Sequence, residues 1–512
     1  MLKTLLTYTA GPELAEDYFA RKIPVGLGIL NAVLNEAGFP SQVGNLSRYS
    51  DDRVVKMLER ERPDVLGLSV FTFNRHPSHQ LARLAKRVLP DLTIVAGGPH
   101  VTHLDRAWLE TYGEFDAVIR GEGEDTLLEL VKNRAAALPI AGVAGTTARD
   151  ADGSLVRAPD RPTITDLDRL PQNADHLARS LGVDVPDQLR YFISSRGCPG
   201  ACTFCNTPDF WGRRVRFRSV DDVLRELRTM RGRHGMVHFS FRDDTFTAHR
   251  PRTLELCRRL VEEGPTFLWD CQSRVNLVDE ERLRWMKRAG CHHVQYGIES
   301  GSERILKLLQ KDITREQIRT AVAMTRAAGL VVSIYLISGV PEETEDDLQA
   351  TVDLIREILP HDGMVAPLAI YPGTRLYEDS KRFLGVGDEI WVQDPRAAIY
   401  VREDERAQRH FRVLTTELER TGRRAAYGPA DFDRFDRELG FCFTTAMQRS
   451  EYHRARGEMD RALASAEEIV RREPGNPWGP LRMAELHAEA GAAGEASAMR
   501  ARAKALVPRL VA

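Results

Sequence analysis

The sequence predicts an α/β chain in three parts: a doubly wound, Rossmann-like domain, a partial (β/α)6 barrel of the TIM type, and an all-α C-terminal domain. Three observations predict it. Short apolar runs alternate with amphipathic stretches over residues 1–140, the same alternation resumes over 186–395, and residues 396–512 carry helical spacing with no strand pattern. At 512 residues the chain is too long for one ordinary core, which agrees with several domains.

In the first part, strands are expected at Leu2–Tyr8, Gln42–Leu46, Asp64–Val70, Leu92–Ala96 and Ala117–Ile119. Helical patterns lie between them at Val25–Ala37, Asp51–Glu61, Ser78–Val88 and Val101–Thr111, with a last one from Asp125. Strands separated by helices of this length form a parallel sheet with right-handed crossovers, and such sheets bind ligands at the carboxyl ends of their strands. Those ends read Ser69-Val-Phe-Thr72, Gly97-Gly-Pro-His100 and Gly121-Glu-Gly-Glu124. Residues 141–185 break the rhythm. The turn at Asp150-Ala-Asp-Gly153 predicts a β-hairpin, and Pro159, Pro162 and Pro171 an irregular linker.

In the second part, strands are expected at Tyr191–Ser195, Met236–Phe241, Thr266–Cys271, His292–Ile298, Val331–Ile337 and Met364–Ile370. Helical patterns follow at Val220–Met230, Arg252–Glu262, Glu280–Arg288, Glu303–Leu309, Arg315–Ala328 and Asp346–Ile358. Barrels of this kind gather their chemistry at the strand carboxyl ends. In the third part, Ala462 with Ala496 and Pro474 with Pro508 repeat at an offset of about 34 residues, the tetratricopeptide period. That block reads either as a surface for a protein partner or as a helical cap packed on the barrel.

Hydrophobic residues at 42% and charged residues at 29% are those of a globular protein, and a net charge of -2 excludes a broad basic field for nucleic acid. The segment Met1-Leu-Lys-Thr-Leu-Leu-Thr-Tyr has a lysine and a short apolar run that ends at Gly11-Pro12, but no cleavage site, so a first strand is expected. No stretch reaches the length of a membrane span, and a cytoplasmic protein is expected.

Seven cysteines are few and odd in number; Cys257, Cys271, Cys291 and Cys442 are scattered, and the other three crowd into Cys198-Pro-Gly-Ala-Cys202-Thr-Phe-Cys205. This is a metal or redox pattern, not a disulfide framework. A structural zinc site is the plain alternative, but such sites are closed by a fourth Cys or His, and no second cysteine pair exists. Three thiolates on a 4Fe-4S cubane leave one iron without a protein ligand. Gly197 and Gly200 let backbone amides approach the cluster sulfurs, and Arg196 adds positive charge.

Cys-x-x-x-Cys-x-aromatic-Cys resembles the signature of the radical S-adenosylmethionine superfamily. That resemblance implies that the methionine end of S-adenosylmethionine binds the open iron, with Phe204 near the adenine, and that reductive cleavage gives a 5′-deoxyadenosyl radical. Further segments, Phe210-Trp-Gly-Arg-Arg-Val-Arg-Phe-Arg-Ser219, Arg242-Asp-Asp-Thr-Phe246, Gly297-Ile-Glu-Ser300 and Tyr371-Pro-Gly-Thr374, resemble the subgroup with an N-terminal cobalamin-binding domain. The likeness covers residues 1 to about 390.

By that resemblance Asp243, Asp244, Gln272, Arg274 and Glu299 fall where the family meets S-adenosylmethionine, although the commoner Gly-Gly-Glu is missing at the Asp pair. Each acidic residue could instead cap the following helix. Ser69, Thr72, Gly97, Gly98, Gly121 and Glu122 match where the subgroup meets the corrinoid; by composition alone the glycines are tight turns. The axial-histidine motif Asp-x-His-x-x-Gly is absent from Thr7-Tyr-Thr-Ala-Gly-Pro12, and His76, His79, His100 and His103 read as solvated residues. So do Arg213, Arg214, Arg216 and Arg218, whose other reading is a phosphate or corrin contact.

The resemblance implies three cofactors, a 4Fe-4S cluster, S-adenosyl-L-methionine and cobalamin, with an external electron donor such as flavodoxin or ferredoxin. It implies methyl transfer to a carbon of a small-molecule or peptide intermediate. Ring closure or rearrangement with the same cofactors is a second reading, and an iron-sulfur scaffold without turnover a third.

Overall fold

The computed structural model describes residues 2–11, 17, 21–264 and 266–510. The chain forms two compact units, the first of residues 1–188, 197–217 and 369–401, the second of residues 189–196, 218–368 and 402–512. This division departs from the expected boundaries at 140, 185 and 395. The cysteine loop and the segment 369–401 pack within the N-terminal unit.

The first unit carries β1 (Thr4–Tyr8), β2 (Ser41–Asn45), β3 (Val65–Ser69), β4 (Thr93–Gly97), β5 (Ala117–Ile119), β6 (Thr146–Arg149) and β7 (Leu155–Arg157) in the order β2-β1-β3-β4-β5-β6-β7. The first five strands are parallel and the last two antiparallel. Placing β1 between β2 and β3 creates the topological switch at which doubly wound sheets bind ligands. The helices obey simple local rules. Asp51–Glu61, for example, begins where the Ser50 hydroxyl accepts from the Arg53 N–H, carries Asp51 and Asp52 in its first turn, and buries Val54, Met57 and Leu58 on one face.

The expected hairpin forms across Asp150–Gly153, with Gly153 at φ 84°. The expected helix Val101–Thr111 is broken into Pro99–Thr102 and Asp105–Thr111. The Thr102 hydroxyl donates to Gly98 O (2.9 Å) and accepts from Gly121 N–H (3.1 Å), which fixes the first piece at the strand ends. The second piece must turn so that Trp108 and Leu109 enter the core.

The second unit carries β8 (Tyr191–Phe192), and after the short strands β9 (Ser195–Arg196) and β10 (Arg216–Phe217) of the chain come β11 (His238–Phe241), β12 (Leu268–Ser273), β13 (Cys291–Glu299), β14 (Val331–Ser338) and β15 (Asp362–Pro367). The six-stranded sheet runs β15-β14-β13-β12-β11-β8 with every neighbouring pair parallel, the open barrel expected. β8 ends earlier than expected, and the last strand lies at Asp362–Pro367 in place of Met364–Ile370.

The two faces of this sheet differ. On one, Trp269 donates from Nε1 to Ala289 O (2.8 Å) and the Tyr296 hydroxyl meets Thr325 Oγ1 (2.8 Å), so this face packs under the helices. On the other, Ser240 donates to Asp270 Oδ1 (2.6 Å), Gln272 Nε2 to Gln295 Oε1 (3.4 Å), Tyr335 also to Gln295, and His293 meets Ser333 Oγ (2.7 Å). Closed barrels ordinarily fill that inner space with branched apolar side chains. Here it is lined by hydrogen-bonding groups.

The C-terminal residues are helical. Met459–Arg472, Trp478–Glu489 and Ala493–Leu506 stack through Ala462, Ala466, Met483 and Leu486, and Ala462 and Ala496 are both buried at equivalent places. Pro474 and Pro508 each follow a helix end, as the repeat predicts. No helix among the described residues is long and apolar enough to cross a membrane.

Lys287, on the helix Glu280–Arg288, reaches the helical block. It is fully buried and donates to Gly329 O (2.7 Å) and Gln448 Oε1 (3.0 Å). Burial pushes its pKa down from 10.5 to about 8. Between those values the unfolded chain holds a proton that the folded chain has released, so stability climbs with pH across that window and the penalty is fully present below it. Denaturant unfolding at a series of pH values should show a rise of about 3 kcal/mol between pH 8 and 10.5 that Lys287→Met lacks. Gly329 O stays satisfied in that variant through Gln448 Nε2 (3.2 Å).

Candidate active site

The first unit contains a cavity of about 300 Å³ at the carboxyl ends of its parallel strands. Leu6, Leu68, Ser69, Gly97, Gly98, Ile119, Gly121 and Glu122 line it. Asn206, Thr207, Phe210 and Trp211, a segment that starts one residue after Cys205, complete its wall. Gly98 has φ 109°, and a Cβ there would lie 2.7 Å from Val70 O, so only glycine fits at that strand end. An apolar cleft of this volume, with backbone exposed at glycines, fits one flat arm of a large ligand, with the rest of that ligand outside it.

Five of the six residues matched to the corrinoid, Ser69, Gly97, Gly98, Gly121 and Glu122, line this cavity. Thr72 does not: its hydroxyl meets His100 Nδ1 (3.1 Å) in the buried interior. Nor do His76, His79, His100 and His103 line the cavity. They are not solvated residues either. His76 bonds Asp394 O, His79 stacks on Tyr112 at 3.8 Å, and burial pushes the pKa of His100 down to about 3. The expected loop without an axial histidine ends at Pro12, which lies outside the described residues.

Glu122 is tied down. Both its carboxylate oxygens accept from Arg216 Nη1, at 2.8 and 2.9 Å, and Arg216 Nη2 donates to Trp211 O (2.8 Å). This corrects the reading of the arginine stretch as a solvated face. Arg213 and Arg214 are exposed, but Arg216 is buried against Glu122, and Arg218 pairs with Asp222 and Glu226. An ordered charge pair thus joins a strand end to the wall made by the segment after the cysteine loop.

Cys198, Cys202 and Cys205 are partly exposed, whereas Cys257, Cys271, Cys291 and Cys442 are buried. The Gly200 N–H approaches Cys198 Sγ at 3.4 Å, the kind of amide contact a cluster sulfur accepts. Gly197 (φ 95°) opens the loop where a Cβ would meet Gly212 O at 3.1 Å and Arg214 O at 3.2 Å. Phe204 lies between, partly exposed. Thr203 O accepts from Leu376 N–H (2.8 Å), and Leu376 stands in the helix that Thr374 caps. Gly373 (φ 85°) is needed there too, because a Cβ would lie 2.3 Å from the His103 ring. Tyr371-Pro-Gly-Thr374 therefore braces the loop, a role the motif alone did not disclose. Three accessible thiols in one braced loop fit a cluster with an open iron.

In the second unit the Asp pair separates. Asp243 is fully buried and its carboxylate accepts from Ser194 N–H (2.6 Å), Ser194 Oγ (2.6 Å) and Ser195 Oγ (2.7 Å), while Asp244 is partly exposed. Neither caps a helix: the short helical turn that follows has Thr245 at its start. Glu299 is not a cap either, because Ser302 caps the next helix. It stands at φ 63° beside a register shift in β13 and accepts from Lys311 Nζ at 2.6 Å, both groups nearly buried. A left-handed glutamate held by a lysine is a strained arrangement of the kind that collects at functional sites. Arg274 donates to Asn276 Oδ1 (3.4 Å) and Lys311 O, and Gln272 belongs to the polar face. Lys311 is thus the hub of this corner. Sequence reasoning missed it because a lysine after a helix gives no signal of its own.

Fold and site together define a radical enzyme with a corrinoid-binding domain. Family models agree: "Radical SAM superfamily" matches residues 192–355 and "B12 binding domain" matches residues 20–131. An uncharacterized methyltransferase of Pyrococcus horikoshii is 32% identical over 361 residues, 69% of this chain and 78% of that protein. The anaerobic magnesium-protoporphyrin IX monomethyl ester cyclase of Rubrivivax gelatinosus is 28% identical over 397 residues, 76% of this chain and 70% of that protein. The cytidylyl-2-hydroxyethylphosphonate methyltransferase of Streptomyces wedmorensis is 29% identical over 391 residues, 65% of this chain and 73% of that protein.

Among solved structures, the radical S-adenosylmethionine methyltransferase TsrM of Kitasatospora setae, with cobalamin and a 4Fe-4S cluster bound, shares the fold at TM-score 0.67 and 17% identity, over 92% of this chain and 100% of that one. The cobalamin-dependent radical enzyme OxsB shares it at TM-score 0.65 and 17% identity, over 100% of this chain and 80% of that one. The chain belongs to the cobalamin-binding radical S-adenosylmethionine family. Its cofactors are a 4Fe-4S cluster, S-adenosylmethionine and cobalamin.

Arg216→Met should take the arginine away from the buried Glu122 carboxylate, which keeps the Ile164 N–H, and cost about 3–5 kcal/mol in denaturant unfolding. The double variant Glu122→Gln, Arg216→Met should recover a large part of that loss, because no charge is then stranded.

Proposed function

We propose that the protein transfers a methyl group from S-adenosylmethionine, by way of its corrinoid, to an unactivated carbon of a small-molecule or peptide biosynthetic intermediate. One observation carries the reading: the glycine-lined cavity and the cysteine loop belong to one compact unit, and residues directly after Cys205 form the cavity wall. Radical cleavage and methyl storage are the chemistries that the cluster and corrinoid supply when bound. The protein's own residues hold and shield. Cys198, Cys202 and Cys205 are the cluster ligands in this reading, and Phe204 lies against the adenosine.

Asp244, Gln272, Arg274 and Glu299 are read as polar contacts of the nucleoside and amino-acid ends, with Lys311 orienting the Glu299 carboxylate. Asp243 is a positioning residue that acts through Ser194 and Ser195, just before the loop. Ser69, Gly97, Gly98, Gly121 and Glu122 are read as the corrinoid contacts. An external one-electron donor such as flavodoxin or ferredoxin completes the cycle, and the helical repeats offer a surface for a protein partner. The relatives named for methyl transfer support this reading. The relative named as a cyclase favours a second one, ring closure with the same cofactors.

Mass spectrometry of products from the reduced, reconstituted enzyme separates them: a product heavier by one methylene supports methyl transfer, and an isomerised or oxidised product of unchanged carbon count supports closure. Replacing Cys198, Cys202 and Cys205 with Ala should abolish both the brown iron-sulfur absorbance and the release of 5′-deoxyadenosine. Release that persists would overturn the cluster assignment.

A further inference from the structure

The opposite end of the barrel sheet carries a second cluster of ligand atoms. His238 is the first residue of β11, Asp270 the third of β12 and His292 the second of β13, all at the amino ends of parallel strands. Glu299 and the Asp243-Asp244 pair lie at or beyond the carboxyl ends of these strands, where barrel chemistry sits. One ring nitrogen or carboxylate oxygen from each of His238, Asp270 and His292 lies within 4.8 Å of the other two. We propose that these three side chains bind a zinc-class divalent cation and so pin β11, β12 and β13 at the barrel floor.

Three features carry the proposal. The first is a register shift. Trp269 of β12 pairs with Cys291, yet the next residue, Asp270, pairs with His293, so His292 is an extra residue with no partner in β12. An inserted residue re-aims a side chain, and here it brings His292 to the side of the sheet that bears His238 and Asp270. Without the shift, strict alternation would send His292 and His293 to opposite faces.

The second is an orphaned atom. His292 Nε2 is buried and has no hydrogen-bond partner, a costly state for a ring nitrogen unless something else occupies its lone pair or takes its proton. His293 by contrast is satisfied by Ser333. The third is the preparation of the other two groups. Ser240 donates to Asp270 Oδ1 (2.6 Å), fixing the carboxylate as supporting hydrogen bonds do around metals. The His238 and His292 ring centroids are 5.8 Å apart, near the separation on the order of 5–6 Å expected for two imidazoles on one zinc with Zn–N of about 2.0–2.1 Å.

The donor set selects the cation. Two imidazoles and one carboxylate suit zinc and its neighbours, whereas calcium and magnesium ask for more oxygen. Lys287 and Arg190 place positive charge near His292 and His238 and oppose a cation, so the ion would have to be held by strong nitrogen bonds and the Asp270 carboxylate, not by net negative charge. The ring of Trp478, from the helical block, stands edge-on to His238 at 6.3 Å, and its Nε1 donates to Thr266 O (3.1 Å). Two apposed layers thus meet at the site, and a bound ion would stiffen the seam.

The test uses the full-length chain with its iron-sulfur cluster already reconstituted, so that the loop thiols are occupied. Equilibration with Zn²⁺ should add about one zinc per chain and raise the midpoint of thermal unfolding; Co²⁺ in its place should give visible d–d bands. His292→Ala and the near-isosteric Asp270→Asn should each weaken binding by about a hundredfold and abolish the thermal shift, while His293→Ala retains both. Two variants guard against a folding defect in one of them. Wild-type protein that holds no zinc, or variants that hold it as tightly as wild type, would overturn the proposal.

Discussion

Three thiolates on eight residues of chain can share one cubane only while the backbone between them is immobile, and the surroundings of the cysteine loop answer that requirement. Within the first unit, Gly197 lets the loop pass close to Gly212 and Arg214, and Leu376 fixes Thr203 from the side. The Glu122–Arg216 pair ties the segment after the loop to a strand end. Within the second unit, Asp243 accepts three hydrogen bonds from the two serines just ahead of the loop. Most of the polar groups named here hold other parts of the protein in place. Few are spare.

Much of this was legible in the sequence. Period-two and period-3.6 patterns marked the strands and helices within a few residues, because each strand is buried under a helix that carries a matching apolar face. The cysteine loop was legible because spacing alone encodes it. What stayed hidden has a common cause. Asp243 and Asp244 are the same letter twice, and which one turns inward depends on Ser194 and Ser195, nearly fifty residues away. Arg216 looked like surface charge because its acidic partner, Glu122, lies far back in the chain, whereas the partners of Arg218, Asp222 and Glu226, stand only one and two helical turns further on. Thr72 sits in a motif-like loop but is claimed by His100. Long-range pairing of charges and hydroxyls leaves no local pattern.

Backbone irregularity was equally silent. β13 departs from simple alternation twice, once against β12 at His292 and once against β14 near Glu299. Each shift turns a side chain that could ligate or bind out of the place that alternation assigns to it. The break between Pro99–Thr102 and Asp105–Thr111 has the same character: an amphipathic run that reads as one helix is divided by a threonine pinned to two glycines. In each case a tertiary contact overrides a local preference that is itself sound.

The inner face of the barrel sheet has a consequence for how this fold stays upright. A closed barrel is filled with oil on the inside and clad in helices on the outside, so its wall is squeezed from both directions. Here Ser240, Asp270, Gln272, Gln295, Ser333 and Tyr335 bond laterally to one another or to His293, on a face they share with Leu268 and Ile337. Sideways stitching therefore adds to the pressure of the helical jacket in keeping the strands from splaying. Such a wall encloses a hollow whose polar lining can be altered by substitution without rebuilding the shell.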